Sequence, residues 1–208
     1  MTTAKRITDV WTVAAVAMGI VGMTIGAANA DIIGFEAESG TLGADFDPAL
    51  ADATALGGFY ITTESNESSA NSPLTDVRTV SYSLTVPAGT YDVYVRARVA
   101  VHNADDSFFY AKAFGDADPA VDAEWQIENG PAGIPWAQPF EWSDALTSTV
   151  TSSGGTVQWE IGGREDGFDI DAFALVTTGQ VVTDTELDDA VTSGLPPAAT
   201  PGTLIYGK

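Results

Sequence analysis

Residues 162–175, which read GGREDGFDIDAFAL, decide the fold of this chain. The Asp-Gly step in this stretch is typical of a tight turn, because Gly adopts a positive φ and Asp bonds its own backbone. The alternation that follows predicts a strand with two distinct faces. One face would carry Phe168, Ile170, Ala172 and Ala174, and the other Asp169, Asp171, Phe173 and Leu175. Both faces are at least partly apolar, and a carboxylate inside a sheet is costly unless it is paired, hydrogen-bonded or bound to a metal.

A second acidic pair lies near the start of the same region. Glu36 and Glu38 share one face of a short predicted strand, and Ile33, Phe35 and Ala37 share the other. If the first and last strands are neighbours, both glutamates converge with Asp171. Three carboxylates without a local cation make a hard-oxygen site that suits Ca²⁺. The alternative is that both acidic pairs face solvent in a very acidic protein, and the residue types leave the two open.

The clearest β pattern lies between residues 80 and 101. Apolar and polar residues alternate over 80–86 and again over 91–101, and a Pro-Ala-Gly turn joins the two runs. This pattern predicts a hairpin with one buried face. Arg96 and Arg98 fall on its outer face, where we expect them to pair with nearby carboxylates; a bound acidic sugar is the alternative partner. With further strand-like runs, residues 31–178 predict an all-β, two-sheet antiparallel β-sandwich of about eight to ten strands.

The two ends of the chain differ in composition from the middle. Residues 1–30 combine a basic start, an apolar run and an Ala-Asn-Ala cleavage motif. These features predict a secretory signal peptide, with an uncleaved membrane anchor as the alternative. Residues 179–208 are acidic and contain Pro and Gly, which predicts a linker or disordered tail. We therefore expect a secreted, extracellular or cell-surface protein with one folded domain.

Charge and reactive residues exclude several functional classes. With 29 acidic and 8 basic residues, the net charge is −21, so the chain is not expected to bind nucleic acid or anionic membrane. There is no cysteine and a single histidine. No nucleophile elbow, P-loop or zinc motif is present in the sequence. These absences predict a protein that is not an enzyme.

Several short motifs occur in an order that resembles a known family. They are Glu36-Ala37-Glu38, Gly57-Gly58-Phe59-Tyr60, the PAGTY stretch at 87–91, the DSFF stretch at 106–109 and the closing REDG stretch with its Asp strand. This order resembles the galactose-binding-like, jelly-roll β-sandwich of carbohydrate-binding modules in families 6 and 35, over residues 31–178. In those families the Glu-x-Glu pair and the Asp of the last strand hold a structural calcium. The matching residues here are Glu36, Glu38 and Asp171.

A sugar-binding surface needs an exposed aromatic platform flanked by planar polar groups. The side chains of this kind in loops or at strand ends are Tyr60, Trp125 and Trp136, with Asn103, Asn129 and Arg164. The resemblance adds Asp169, at a position that is often Asn in those families. We expect Trp159 in the core, because it alternates with Val157 and Ile161. The predicted function is a secreted, non-catalytic module that binds a polysaccharide or cell-surface glycan. The alternative is a structural or adhesive surface protein that uses the same sandwich without sugar.

Overall fold

The computed structural model describes residues 32–46, 49–63, 66, 72–73, 75–99, 106–111, 124–127, 133–141 and 148–194. The predicted signal peptide lies outside these residues. In chain order the strands are β1 (Ile32–Glu36), β2 (Thr41–Leu42), β3 (Leu50–Ala51), β4 (Phe59–Tyr60), β5 (Thr79–Val86), β6 (Gly89–Val99), β7 (Ser107–Tyr110), β8 (Glu124–Gln126), β9 (Trp136–Ala137), β10 (Phe140–Glu141), β11 (Thr149–Ser152), β12 (Gly155–Gly163) and β13 (Phe168–Thr177). One α-helix, α1 (Asp184–Gly194), follows, and single 3₁₀ turns lie at Ala37–Ser39, Leu56–Gly58 and Asp76–Arg78.

The strands form two antiparallel sheets and one short hairpin. Sheet A has the order β1-β13-β6-β11, with β9 also paired to β6. Sheet B has the order β10-β8-β7-β12-β5-β2, and β3 pairs with β4 alone. The inner faces of sheets A and B supply one common apolar core. The predicted antiparallel β-sandwich is therefore confirmed, and the first and last strands are neighbours as expected.

The core is built largely from aromatic rings. Trp159 lies edge-on to Phe173 with the ring centroids 5.1 Å apart, and Phe35 stacks on Phe173 at 5.7 Å. Tyr82 is also buried, and its hydroxyl donates to the carbonyl of Ala37 at 2.8 Å. Offset and edge-on rings of this kind stabilise a core beyond the area they bury. The prediction that Trp159 belongs to the core is confirmed.

The predicted hairpin of residues 80–101 is wrong in its pairing. Strands β5 and β6 form as expected, but β5 pairs with β12 and β2 in sheet B, whereas β6 pairs with β13, β11 and β9 in sheet A. The short turn at Pro87 carries the chain from one sheet to the other, and the Tyr91 hydroxyl braces this turn by donating to the Pro87 carbonyl at 3.0 Å. Alternation shows which face of a strand is buried, but both strands can face the same core from opposite sheets.

Strand β13 contains an irregularity that the regular alternation did not predict. Its pairing with β6 shifts register between Ile170 and Ala172, which leaves Asp171 as the additional residue. Such a bulge reverses the side-chain parity beyond it. The core therefore receives Ile170 before the bulge and Phe173 after it, although the sequence placed these two residues on opposite faces.

Helix α1 corrects the prediction of a linker or disordered tail over residues 184–194. Leu187 and Val191 on this helix are buried, and Leu187 packs with Ala174 and Val176 on the outer face of sheet A. The helix backbone approaches Gly34 so closely that a Cβ there would lie 2.5 Å from the Val191 nitrogen. Residues 195–208 lie outside the described part of the chain.

The sequence contained a signal for this helix. Thr183 and Glu186 form a capping box, in which the Thr183 amide donates to the Glu186 carboxylate at 2.8 Å and the Glu186 amide donates to the Thr183 hydroxyl at 3.3 Å. In the described part of the chain, no helix has the length and apolarity needed to span a bilayer.

Candidate functional site

The bulge in β13 directs Asp171 into a buried polar environment. Its carboxylate is 0% exposed. Oδ2 accepts hydrogen bonds from the Leu56 amide at 3.2 Å and from the Arg96 guanidinium, with which it also forms an ion pair. Oδ1 is buried and has no hydrogen-bond donor in the described part of the chain. The negative charge on Oδ2 is therefore balanced by hydrogen bonds and an ion pair, whereas Oδ1 has no such partner among the described residues.

Glu36 and Glu38 lie at the adjacent end of β1. Glu36 ends the strand opposite Ala172, and Glu38 lies in the 3₁₀ turn that follows. Glu36 is 3% exposed, and neither of its carboxylate oxygens has a hydrogen-bond partner among the residues that the structure describes. Within the same residues, Oε2 of Glu38 is likewise buried without a partner. Burying a carboxylate without compensation is costly, so these oxygens need a proton or a cation.

A glycine closes the loop of residues 52–58 over these acids. Gly57 has a φ of 65°, which favours glycine, and a Cβ at this position would lie 2.9 Å from Glu36 Oε1 and 3.7 Å from Glu38 Oε1. Both glutamates therefore lie against the backbone at Gly57. The amide of Leu56, in the same turn, bonds Asp171. The three acids predicted as calcium ligands are thus brought to one place, from the first strand, the turn after it and the last strand.

Their mutual influence appears in the pKa values. The pKa of Glu36 is raised to about 8, chiefly by burial and then by the charges of Glu38 and Asp171, while the charge of Arg96 opposes the rise. The pKa of Glu38 is raised to about 7 by burial and by the charge of Asp171, against a backbone hydrogen bond that lowers it. The pKa of Asp171 is also raised by burial, against the hydrogen bond from Arg96. Glu36 therefore favours its protonated form at neutral pH, as expected where burial and neighbouring negative charge oppose ionisation.

The site does not form a complete coordination shell. Among the residues that the structure describes, no three His, Cys, Asp or Glu side chains form a group that could hold a metal ion as they stand. Four buried carboxylate oxygens at this site have no donor among the described residues, and such oxygens nevertheless fit the preference of Ca²⁺ for hard oxygen ligands. The ligand type of these side chains therefore fits Ca²⁺, although the side chains are not arranged as a set of metal ligands.

A second polar cluster lies on the outer face of sheet A, at Arg98. Its guanidinium donates to Asp169 Oδ2 at 2.9 and 2.7 Å and to Asp52 Oδ2 at 2.9 Å. Asp169 lies directly opposite Arg98 in the β13–β6 pairing. Hydrogen bonds from Thr54, together with that from Arg98, lower the pKa of Asp52 to about 2. The expectation that Arg96 and Arg98 pair with carboxylates is confirmed.

This cluster contains one predicted aromatic residue. The guanidinium carbon of Arg98 lies 5.2 Å from the ring centroid of Tyr60, in a cation–π contact. Tyr60 and Asp169, both predicted for a sugar site, therefore lie beside the same arginine. Tyr60 is half-buried, so only part of its ring is available to a ligand.

The prediction that Trp125 belongs to an exposed aromatic platform is wrong. It is 0% exposed and stacks on Tyr110 with ring centroids 3.6 Å apart. Trp125 belongs to a core strand, β8, which pairs with β7, and the polar stretch of sequence around it did not indicate this strand. Trp125 therefore contributes to stability and is closed to a ligand.

Trp136 and Arg164 also have internal roles. Trp136 packs with the apolar residues beneath α1, and its Nε1 donates to Asp188 at 2.8 Å. It is half-buried and does not present an open platform.

Arg164 donates to Ser107 Oγ and to Glu165 Oε1, both at 2.6 Å, and so joins a network that anchors the start of β7. Asn103 and Asn129 lie outside the described residues.

The exposed aromatic residue that sequence reasoning missed is Phe59. Its side chain is 45% exposed, on the two-stranded β3–β4 hairpin. On this hairpin Ala51 is opposite Phe59, while Leu50, itself 42% exposed, is opposite Tyr60. Phe59 follows directly after Gly57-Gly58, so the Gly-Gly-aromatic step was the signal. This hairpin is joined without a break to the turn that covers the carboxylates.

No family model matches the sequence, and no curated protein matches it. Several solved structures are similar in fold. They include a GH26-CBM35 β-(1,4)-mannanase from Podospora anserina, at 15% identity and a TM-score of 0.49, over 72% of this chain and 28% of that one. An exo-β-1,3-galactanase from Phanerochaete chrysosporium matches at 14% identity and a TM-score of 0.46, over 69% of this chain and 29% of that one.

A family 6 carbohydrate-binding module from Clostridium cellulolyticum, in complex with xylose, is also similar. It matches at 12% identity and a TM-score of 0.44, over 68% of this chain and 95% of the module. This chain therefore spans less than a third of the mannanase and galactanase chains, and nearly the whole of the isolated module.

Proposed function

We propose that this chain is a secreted, non-catalytic module that binds a polysaccharide or cell-surface glycan through the β3–β4 hairpin, held in place by Ca²⁺ at Glu36, Glu38 and Asp171. This proposal rests on one observation, which is that the β3–β4 hairpin and the turn over the carboxylates are continuous along the chain. The exposed ring of Phe59 follows Gly57, and Gly57 lies directly over the uncompensated carboxylates. An ion at the carboxylates would therefore order the strand that presents the aromatic ring.

Charge balance supports the calcium part of the proposal. Two carboxylates about 5 Å apart repel each other by about 3 kcal/mol at an effective dielectric constant near 20. Here Arg96 forms an ion pair with Asp171, and among the described residues four buried oxygens of the three carboxylates have no donor. A bound Ca²⁺ would supply two positive charges and take carboxylate oxygens as ligands. We infer that the side chains of Glu36 and Glu38 close on the ion with Asp171 when it binds.

The hairpin supports the glycan part. A sugar ring has an apolar face that stacks on an aromatic side chain, and hydroxyl edges that need donors and acceptors. Phe59 offers the apolar surface, and the next residue on the hairpin, Tyr60, contacts Arg98, which with Asp52 and Asp169 offers polar groups. The charge of Arg98 is already matched by two carboxylates, which favours a neutral glycan over an acidic one. Affinity should be modest, on the order of micromolar to millimolar.

A second function, that of a structural or adhesive surface protein without sugar binding, has one observation in its favour. Of the three aromatic residues predicted as platforms, Trp125 is buried and Trp136 is covered by α1. An exposed apolar hairpin that carries Leu50 and Phe59 also suits a protein partner. The two functions differ in whether a purified glycan alone binds.

The test is binding of the chain to a panel of soluble neutral polysaccharides, measured by affinity electrophoresis and by isothermal titration calorimetry. We expect binding by the wild type, and a loss of about 10-fold or more in Phe59→Ala, since an aromatic contact contributes about 1 kcal/mol beyond the area it buries. The matched control is Val77→Ala, because Val77 is an apolar side chain of similar exposure that precedes β5 in sheet B. Failure of the wild type to bind any glycan in the panel would favour the structural role, and equal binding by Phe59→Ala and wild type would exclude this hairpin.

A further inference from the structure

The C-terminal helix reaches the carboxylate site through one arginine. Asp188 of α1 lies 3.6 Å from Arg96 Nε and also accepts the hydrogen bond from Trp136 Nε1. Arg96, on the outer face of β6, pairs at its other end with Asp171. The same guanidinium donates to the carbonyl of Thr54, in the loop that carries Gly57, at 3.3 Å. Arg96 therefore connects the helix, the loop and the last strand.

The packing of the helix places it against the same loop. Leu187 and Val191 hold the helix on sheet A, where its backbone contacts Gly34 in β1, two residues before Glu36. The helix also contacts the Leu56–Gly58 turn that closes over the glutamates. A shift of the helix would move both β1 and the loop.

We propose that Asp188 and Arg96 are positioning residues for the cation site, and that docking of α1 and binding of the ion are thereby coupled. This inference rests on the calcium site of the proposed function. When a divalent cation joins Asp171, the positive charge of Arg96 lies close to the ion and opposes its binding. Asp188 gives Arg96 a second carboxylate partner outside the ion site, so Arg96 remains compensated while Asp171 turns to the ion.

The direction of each substitution follows from this charge arrangement. Asp188→Asn leaves Arg96 with Asp171 as its one carboxylate partner among the described residues, so the arginine competes more strongly with the ion. Arg96→Gln removes the competing charge, so the ion-free protein is less stable and binds the ion more tightly. A role limited to structural support would instead weaken ion binding in both variants.

Coupling of this kind is reciprocal, because a site that is strengthened by helix docking must strengthen the docking when it is filled. Calcium should therefore increase the protection of the α1 amides from hydrogen exchange. The effect should be small in Asp188→Asn, where the charge link between helix and site is removed.

The experiment measures Ca²⁺ binding by isothermal titration calorimetry in the full chain, with Asp189→Asn as the matched control. Asp189 is the adjacent acid on α1, its side chain is exposed, and its substitution changes the net charge by the same amount. We expect Asp188→Asn to weaken calcium binding by ~3- to 10-fold, Asp189→Asn by less than about 2-fold, and Arg96→Gln to strengthen it. Hydrogen exchange of α1 with and without Ca²⁺ is measured on the same proteins.

The outcomes separate this inference from the proposed function. If the wild type binds Ca²⁺ and the two aspartate variants bind it equally, the calcium site stands and the coupling is refuted. Weaker binding by Arg96→Gln than by wild type, or calcium-independent exchange of α1 in the wild type, also refutes the coupling. If the wild type does not bind Ca²⁺, both the site and the coupling are refuted.

Discussion

The stability of the ion-free protein should fall as the pH rises from about 5.5 to about 8.5, in the opposite direction to ordinary acid denaturation. The physical cause is the buried carboxylate of Glu36. Its pKa is about 8 in the folded chain and near the ordinary value of 4.5 in the unfolded chain. Between these two values the folded chain holds a proton that the unfolded chain has released. The stabilising contribution of Glu36 to the free energy of unfolding is therefore fully present below about pH 4.5 and is lost as the pH rises through about 8.

The magnitude follows from the difference in pKa. A difference of one in pKa corresponds to about 1.4 kcal/mol, so Glu36 alone contributes on the order of 5 kcal/mol in total, of which about 3 kcal/mol is lost between about pH 5.5 and 8.5. The pKa of Glu38, raised to about 7, acts in the same direction. Since a domain of this size has a free energy of unfolding of about 5–15 kcal/mol, the loss is a large fraction of the total.

The assay is urea unfolding followed by tryptophan fluorescence, for which the buried Trp125 and Trp159 are core probes. It is performed with a chelator at about pH 5.5, 7 and 8.5, in about 0.5 M NaCl to screen the general repulsion of an acidic chain. Glu36→Gln should lose most of the pH dependence, while the exposed-residue variant Asp189→Asn should keep it. Saturating Ca²⁺ should restore stability most strongly at the highest pH, because protons compete with the ion for the same oxygens.

Two results would refute this reasoning. A free energy of unfolding that is equal at the two extremes of pH in the presence of chelator would show that Glu36 is not protonated in the folded chain. A pH dependence that is unchanged in Glu36→Gln would assign the effect to other groups.

Three further predictions concern the fold. Gly34→Ala should destabilise the protein by about 1–3 kcal/mol, seen as a lower urea midpoint and faster hydrogen exchange in α1, because the new Cβ would lie 2.5 Å from the Val191 nitrogen. Trp159→Ala should cost about 3–5 kcal/mol in urea unfolding, since its ring is fully buried, whereas Val181→Ala at an almost fully exposed position should be neutral. Thr183→Ala should cost about 0.5–2 kcal/mol through loss of the helix cap, and an unchanged melting temperature would show that α1 does not contribute to stability.

Local sequence patterns were sufficient for the long strands β5, β6 and β13 and for the positions of the acids, but they did not indicate the short strands β8 and β9. The period-two alternation in β5, β6 and β13 results from burial of one strand face, a property that neighbouring residues along the chain already specify. The convergence of Glu36 with Asp171 could also be predicted, because it required only that the first and last strands be neighbours. The same reasoning placed Arg96 and Arg98 on the outer face of β6, beside carboxylates.

Pairing between distant strands was outside the reach of these patterns. Alternation does not distinguish a hairpin from two strands that face each other across a core, so β5 and β6 were assigned to one sheet. It also assumes an unbroken register, and the bulge at Asp171 is recognised only when β13 is laid against β6. The burial of Trp125 depends on β8 pairing with β7, which nothing in its polar surroundings indicated.

The amino-acid sequence by itself thus determined the long strands β5, β6 and β13, the positions of the acids along the chain, and the scarcity of positive charge around them in the sequence. Only the tertiary structure decided that α1 covers Trp136 and that Asp188 shares Arg96 with Asp171. The physical reason is that a helix of modest amphipathicity is stabilised by the surface on which it packs, and that surface is assembled from β1, β13 and β9. Exposure of Phe59 is likewise a property of the assembled surface, because a strand that lies outside both sheets leaves one of its faces uncovered.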